Sequence, residues 1–195
     1  MKNKLGVRNV KTEMLSQAFY TYKRVSFDLE VSSGQWESQK REVLERGNGA
    51  TILLYDKKRS TVILTRQFRM PTHLNGNESG LLIEAPAGSV ENESPESNII
   101  REVEEEVGLR ISNPKQIFSS YMSPGAVSEI IYFFTAPYDQ NMKVSEGGGN
   151  AEEHEHIEVM EVKFEEAISM MNSGDIKDAK TIMLLQYALI HRLLE

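Results

Sequence analysis

Two glutamates four residues apart, Glu102 and Glu106, offer oxygen ligands of the kind that hold a hard divalent cation. They lie in the segment Ala87-Gly88-Ser89-Val90-Glu91-Asn92-Glu93-Ser94-Pro95-Glu96-Ser97-Asn98-Ile99-Ile100-Arg101-Glu102-Val103-Glu104-Glu105-Glu106-Val107-Gly108-Leu109. Ser94 stands where an N-cap belongs, Pro95 at the first helical position, Glu96 in the favourable first turn and Gly108 just past the end. The spacing predicts a helix of about three turns. At ~100° per residue, Ile99, Ile100, Val103 and Val107 gather into an apolar stripe with Glu102 and Glu106 at its edge. Arg101 and Glu105 form a second turn-spaced pair farther round. Like charges one turn apart destabilise an isolated helix, and a neighbouring buried stripe adds a desolvation cost. Mg2+ or Mn2+ bound between them would remove both penalties. A solvated acidic face is the alternative that spacing alone leaves open.

Such a helix needs a scaffold, and the chain supplies strand patterns on both sides of it. Ala50-Thr51-Ile52-Leu53-Leu54-Tyr55, a turn at Asp56-Lys57-Lys58, and Thr61-Val62-Ile63-Leu64-Thr65 read as a strand pair. Leu81-Leu82-Ile83-Glu84 and Ile130-Ile131-Tyr132-Phe133-Phe134 read as buried strands, and Ile157 to Val162 alternates cleanly. Helical patterns also cover Phe164 to Met171 and Ala179 to Leu194. The expected class is α/β, a mixed sheet with helices packed on it. Ahead of this body, Phe19 to Leu29 and Ser38 to Leu44 read as two strands of a hairpin, closed off by Arg46-Gly47-Asn48-Gly49. A lone hairpin is only marginally stable, so it must pack on the body or on a second subunit. The expected division is 1–45 for this β segment and 46–195 for the main body.

Composition narrows the class. A chain of 195 residues with 39% hydrophobic and 26% charged residues has the make-up of a soluble globular protein. A net charge of −7 without a clustered basic surface argues against a nucleic-acid partner. The absence of cysteine excludes disulfides and thiolate metal sites. No stretch approaches the ~20 apolar residues that span a bilayer, and no signal peptide is evident. The expectation is a cytoplasmic protein.

Gly88 to Leu109 resembles the Nudix box, with Arg101-Glu102-Val103-Glu104-Glu105-Glu106-Val107-Gly108-Leu109 matching its second half at every defined position. Four residues separate Gly88 from Glu93, one fewer than in the general pattern. That shortened loop is similar to the GDP-mannose pyrophosphatase subgroup. So are Arg46 to Tyr55, Arg66-Gln67-Phe68-Arg69, Asn75 to Gly80, Tyr121-Met122-Ser123-Pro124-Gly125 and Gly147-Gly148-Gly149, in their order along the chain.

The resemblance implies a Nudix fold and Mg2+-dependent hydrolysis of GDP-mannose to GMP and mannose 1-phosphate. An ADP-ribose or ADP-sugar pyrophosphatase, or a catalytically silent nucleotide-sugar sensor, are the alternatives. It implies metal ligands at Glu102, Glu106, the Ala87 carbonyl and a carboxylate of the later acidic loop, where alignment selects Glu155 with Glu153 in reserve. Glu105 would orient Arg101 or a bound water, and Gly88 and Ser89 would line the substrate. Arg69 and Lys180 would lie near the phosphates, with ordinary surface charge as the alternative. Glu129 would touch the sugar or help hold the water, unless it is a strand-edge charge. In related homodimers the N-terminal hairpin reaches over the partner, so Phe19, Lys40, Arg41 and Glu42 would contact nucleotide in the other subunit; dimer packing alone is the bland alternative. Trp36 is expected to pack. The three glycines at 147–149 suggest a mobile lid. His154-x-His156 raises zinc, but without cysteine these read better as exposed residues or substrate contacts.

Overall fold

A computed structural model describes residues 5–150 and 154–195 and divides into two compact units. One comprises the chain up to Asn48 together with Tyr121–Ile130; the other comprises Gly49–Ser120 and Ile131–Glu195.

The first unit is an antiparallel sheet of three strands in the order β1 (Val7–Gln17), β2 (Thr21–Ser32) and β3 (Gln35–Glu45). The hairpin expected from the sequence is β2–β3, and a further strand lies on its outer side. β1 was invisible in the pattern because nearly all of its side chains are exposed, so no alternation of apolar and polar residues marks it. Ser33 and Gly34 make the tight turn between β2 and β3, with Gly34 at φ +77, a conformation that suits a residue without Cβ. Trp36 packs, as expected, with the Arg8 guanidinium 3.9 Å above its ring.

The second unit is built on a mixed sheet. Its strands are β4 (Asn48–Asp56), β5 (Thr61–Phe68), β6 (Leu81–Glu84), β7 (Ala87–Val90), β8 (Lys115–Tyr121), β9 (Ile130–Pro137) and β10 (Glu158–Lys163). They run in the order β10-β5-β4-β9-β8, with β6 beside β5 and β7 beside β4. β4 pairs parallel to β9 and antiparallel to β5. The helices are α1 (Met70–Leu74), α2 (Pro95–Glu102), α3 (Phe164–Ser173) and α4 (Ala179–Ile190).

Alternation along the strands sends side chains to two cores. Ile52, Leu54, Phe134 and Ala136 pack with Ile99, Val103 and Val107, the apolar stripe of the acidic helix. On the other face Phe133 meets Phe118 at 4.5 Å between ring centroids, and Phe118 meets Tyr187 of α4 at 6.0 Å. The sheet is therefore sandwiched between helices, and the acidic helix is fixed against it by Ile99 of α2 and by Val103 just after it, neither with any exposed surface.

Candidate active site

The caps read from the sequence are present. Ser94 accepts the Ser97 amide at 3.0 Å, Pro95 opens α2, and Gly108 closes the helix at φ +75. Between them the helix changes: Val103–Val107 forms one widened π turn instead of a regular α turn. Such turns recur at functional sites because they re-aim side chains. Here the widened turn carries Glu106, which ends only 3% exposed.

β7 enters from the opposite side. The Ala87 amide donates to Glu106 Oε2 at 3.1 Å. Gly88 passes so close to Glu102 that a Cβ built on it would stand 2.1 Å from the carboxyl carbon. Ala87, Gly88, Glu102 and Glu106 are therefore brought together, and any side chain at Gly88 would displace Glu102. Arg101 donates to Glu93 at 3.1 Å, to Glu102 at 2.8 Å and to Glu105 at 2.8 Å. The shortened loop thus still delivers Glu93 to the network. Buried Asn98, four residues before Glu102, donates to the Ser89 carbonyl at 2.9 Å and ties the loop to the helix.

Electrostatics follow from burial. Removal from water pushes Glu106 up to about 8; the Ala87 amide opposes this, the charges on Glu102 and Glu155 add to it, and Arg69 opposes it. Burial also raises Glu102, against the pull of Arg101. Glu155 is thus close enough to be felt by both glutamates, and its Oε2 accepts the Asn150 amide at 3.1 Å. Glu153, the reserve candidate, lies outside the described residues. Among the described residues no three acidic or histidine side chains already form a ready cage. His154 and His156 are both exposed.

The glycine run makes specific backbone contacts with the helix. Gly148 N donates to the Glu106 carbonyl at 2.9 Å and Gly149 N to the Glu105 carbonyl at 3.2 Å, so the run caps the end of the helix. Gly147 to Gly149 have φ between +68 and +109, and a Cβ at Gly147 would lie 2.5 Å from the Glu106 carbonyl oxygen. Close backbone approach is what these glycines permit here.

Arg69 and Lys180 meet at Glu84. Arg69 Nε donates to Glu84 at 2.7 Å; Lys180 Nζ lies 3.4 Å from its other oxygen and 2.6 Å from Asp178. Glu84, Asp178 and Asn98 join the site without having been singled out by motif or spacing. Glu84 did carry a signal, as the one acid ending an apolar strand. Asn98 carried one too, as a polar residue spaced one turn from Glu102 on the buried side.

The remaining candidates belong to the other unit. Phe19 is 91% exposed and stacks edge-on against Tyr20. Arg41 donates to the Lys40 carbonyl and to Gln39, while Glu42 accepts from Tyr22 at 2.5 Å and Arg24 at 3.0 Å. Glu129 is buried and ion-paired with Arg46 at 3.0 Å.

A sheet between helices, with an Arg-Glu-x-x-Glu-Glu helix packed against a Gly-containing strand, defines a class, and comparison with known proteins agrees. Residues 45–185 match the family profile described as NUDIX domain, and the chain belongs to that family. Residues 6–44 match the profile described as GDP-mannose pyrophosphatase NudK N-terminal domain. The chain is similar along almost its whole length to proteins named GDP-mannose pyrophosphatase. That of Yersinia enterocolitica is 50% identical over 97% of this chain and 98% of its own length. That of Pectobacterium atrosepticum is 51% identical over 93% of each, and that of Yersinia pestis (strain Pestoides F) 49% identical over 95% of this chain and 92% of its own.

Proposed function

We propose that this protein hydrolyses GDP-mannose to GMP and mannose 1-phosphate, using a divalent cation, Mg2+ with Mn2+ as a substitute. The observation that carries the proposal is Glu106, a buried carboxylate whose only hydrogen bond among the described residues is the Ala87 amide. An uncompensated acid costs stability unless something positive joins it. Glu102, Glu106, Glu155 and the Ala87 carbonyl are an all-oxygen donor set, which fits a hard cation. Once bound, the ion supplies charge neutralisation for the diphosphate and acidifies water. The relatives' names support the substrate, since similarity extends through both profiles.

In this reading water adds to one phosphorus and the bridging oxygen leaves with the other. Glu155 acts as third ligand or as the base that takes the proton of the water. Glu105 holds Arg101, which in turn steadies Glu102. Arg69 and Lys180 face the phosphates, Arg as a planar fork and Lys as a point charge. Gly88 and Ser89 line the substrate, and Glu129 and His154 reach the sugar or the attacking water. The chain divides into a β segment at 1–45 and a catalytic domain at 46–195. It works as a cytoplasmic homodimer, with Phe19, Lys40, Arg41 and Glu42 contacting nucleotide in the partner. Exposed Val7, Val10 and Met14 on β1 support a covered sheet. Among the described residues no helix is long and apolar enough to cross a membrane.

The test is a panel of GDP-mannose, GDP-glucose, ADP-ribose and ADP-glucose with Mg2+, products separated by chromatography. GMP and mannose 1-phosphate should be released fastest, and EDTA should stop them. Faster AMP release from an adenine substrate would overturn the specificity, and no turnover at all would leave a binding domain.

A further inference from the structure

We propose that Glu84 is a positioning residue for the reaction, fixing Arg69 and Lys180 side by side so that they meet one diphosphate together. This rests on the hydrolase reading above. Glu84 ends β6, a strand otherwise made of Leu81, Leu82 and Ile83, and its side chain is 5% exposed. A carboxylate there carries a desolvation cost that an aliphatic residue would avoid. Its two oxygens are divided between the two cations: Oε2 accepts Arg69 Nε, while Oε1 faces Lys180 Nζ.

The remaining geometry shows what the division achieves. Arg69 is held through Nε alone, so Nη1 and Nη2 have no partner among the described residues, and its side chain is 41% exposed. The outer edge of the fork, the edge suited to paired phosphate oxygens, is therefore left free. Lys180 is anchored from below by Asp178, which also caps α4 through the Thr181 amide at 2.9 Å. Thr181 Oγ1 accepts the Ala85 amide at 2.6 Å, locking the start of α4 to the residue after Glu84. Ala85 and Pro86 then lead directly to Ala87. Two cations face two carboxylates, so the quartet is neutral as a group. It is an orienting device rather than a simple pool of positive charge.

The two roles predict opposite results. A mere counter-ion, once removed, leaves a more positive site that binds anions more tightly. A positioning residue, once removed, loosens the fork and slows turnover. Glu84→Gln, Arg69→Ala and the double variant would be measured in the full chain with GDP-mannose, alongside thermal melting. Glu84→Gln should lower kcat/KM about tenfold, the usual scale for loss of a supporting partner. In the Arg69→Ala background the same change should cost less than about twofold, because the group it acts through is gone. Glu84→Asp, which keeps the charge but retracts it by one methylene, should also lose activity. It provides the answer if Glu84→Gln fails to fold. Wild-type kcat with a lowered KM in Glu84→Gln would overturn the proposal in favour of a counter-ion. An equal loss in both backgrounds, or full activity in Glu84→Asp, would overturn it as well. If Arg69→Ala keeps wild-type kinetics, or the wild type does not turn over GDP-mannose, the parent reading falls and takes this inference with it.

Discussion

Carboxylates on the N-terminal sheet and those of the helical site are treated in opposite ways. On the N-terminal sheet, Glu42 is held below its ordinary range by the Tyr22 hydroxyl and then by Arg24. Asp28 on the same sheet is held down by hydrogen bonds from Ser38 and Asn9. These carboxylates are satisfied by protein donors in contact with solvent. In the helical site Glu102 and Glu106 are instead raised by burial, and Glu106 has one backbone amide where a satisfied acid would have several donors. The first arrangement serves the fold. The second costs the fold something and makes sense only if a positive charge is supplied from outside. The contrast separates acids that hold a sheet together from acids that wait for a ligand.

The largest break in that contrast should come from Glu106→Gln. It keeps shape and the Ala87 contact but removes the charge, and turnover should fall by more than about a hundredfold, beyond what loss of an outer partner costs. Stability should move the other way. Glu106 is raised to about 8 in the fold from an ordinary 4.5, so the protonated acid is what the metal-free fold prefers. That stabilisation is present in full below the unfolded value and is lost as pH rises through the folded one. Melting in EDTA should therefore weaken progressively between about pH 4.5 and 8. Added Mg2+ or the Glu106→Gln change should flatten the slope. A wild-type melting curve independent of pH in EDTA would show that Glu106 is already satisfied.

A smaller effect is expected where the backbone, not the charge, is altered. Gly88→Ala puts a Cβ 2.1 Å from the Glu102 carboxyl carbon, so the acid must move off its strand-facing position. Turnover should fall about tenfold with a modest shift in melting, since the side chain can swing while the core stays packed. Equal kcat/KM for wild type and Gly88→Ala would mean that the position of Glu102 does not matter.

How much of this was legible in the sequence depends on how local each feature is. The capped helix, its apolar stripe and the β4–β5 pair were readable because caps, stripes and alternation are fixed by near neighbours. Glu102 and Glu106 could be named as ligands because turn spacing puts them on one helix face. The widened turn at Val103–Val107 has no such signature, and it goes with a Glu106 that is buried rather than at the stripe's edge. Glu84 was missed because its partners, Arg69 and Lys180, lie 15 and 96 residues away. At 147–149 composition suggests a mobile lid, because it reports only what a glycine allows. The carbonyls of Glu105 and Glu106 that they cap decide what these glycines do.

The smallest effect should come from the satisfied side of the comparison. Asp28→Asn removes a charge from β2 and keeps one acceptor oxygen, which can still take the Ser38 hydroxyl bond that stands at 2.6 Å. The amide nitrogen in place of the other oxygen faces Asn9, now bonded at 2.7 Å, whose own amide can turn over to present its oxygen. Because the site is open to water, the melting temperature at neutral pH should move by no more than about 2 °C. Its pH dependence should also run opposite to that of Glu106. Asp28 is lowered in the fold, so its contribution is present above the unfolded value and is lost as pH falls through the folded one. Asp28→Asn should therefore soften only the acid limb of the stability curve, with the alkaline limb and turnover unchanged. If it altered the alkaline limb instead, the acids of the sheet would belong with Glu102 and Glu106, and the distinction between sheet and site would fail.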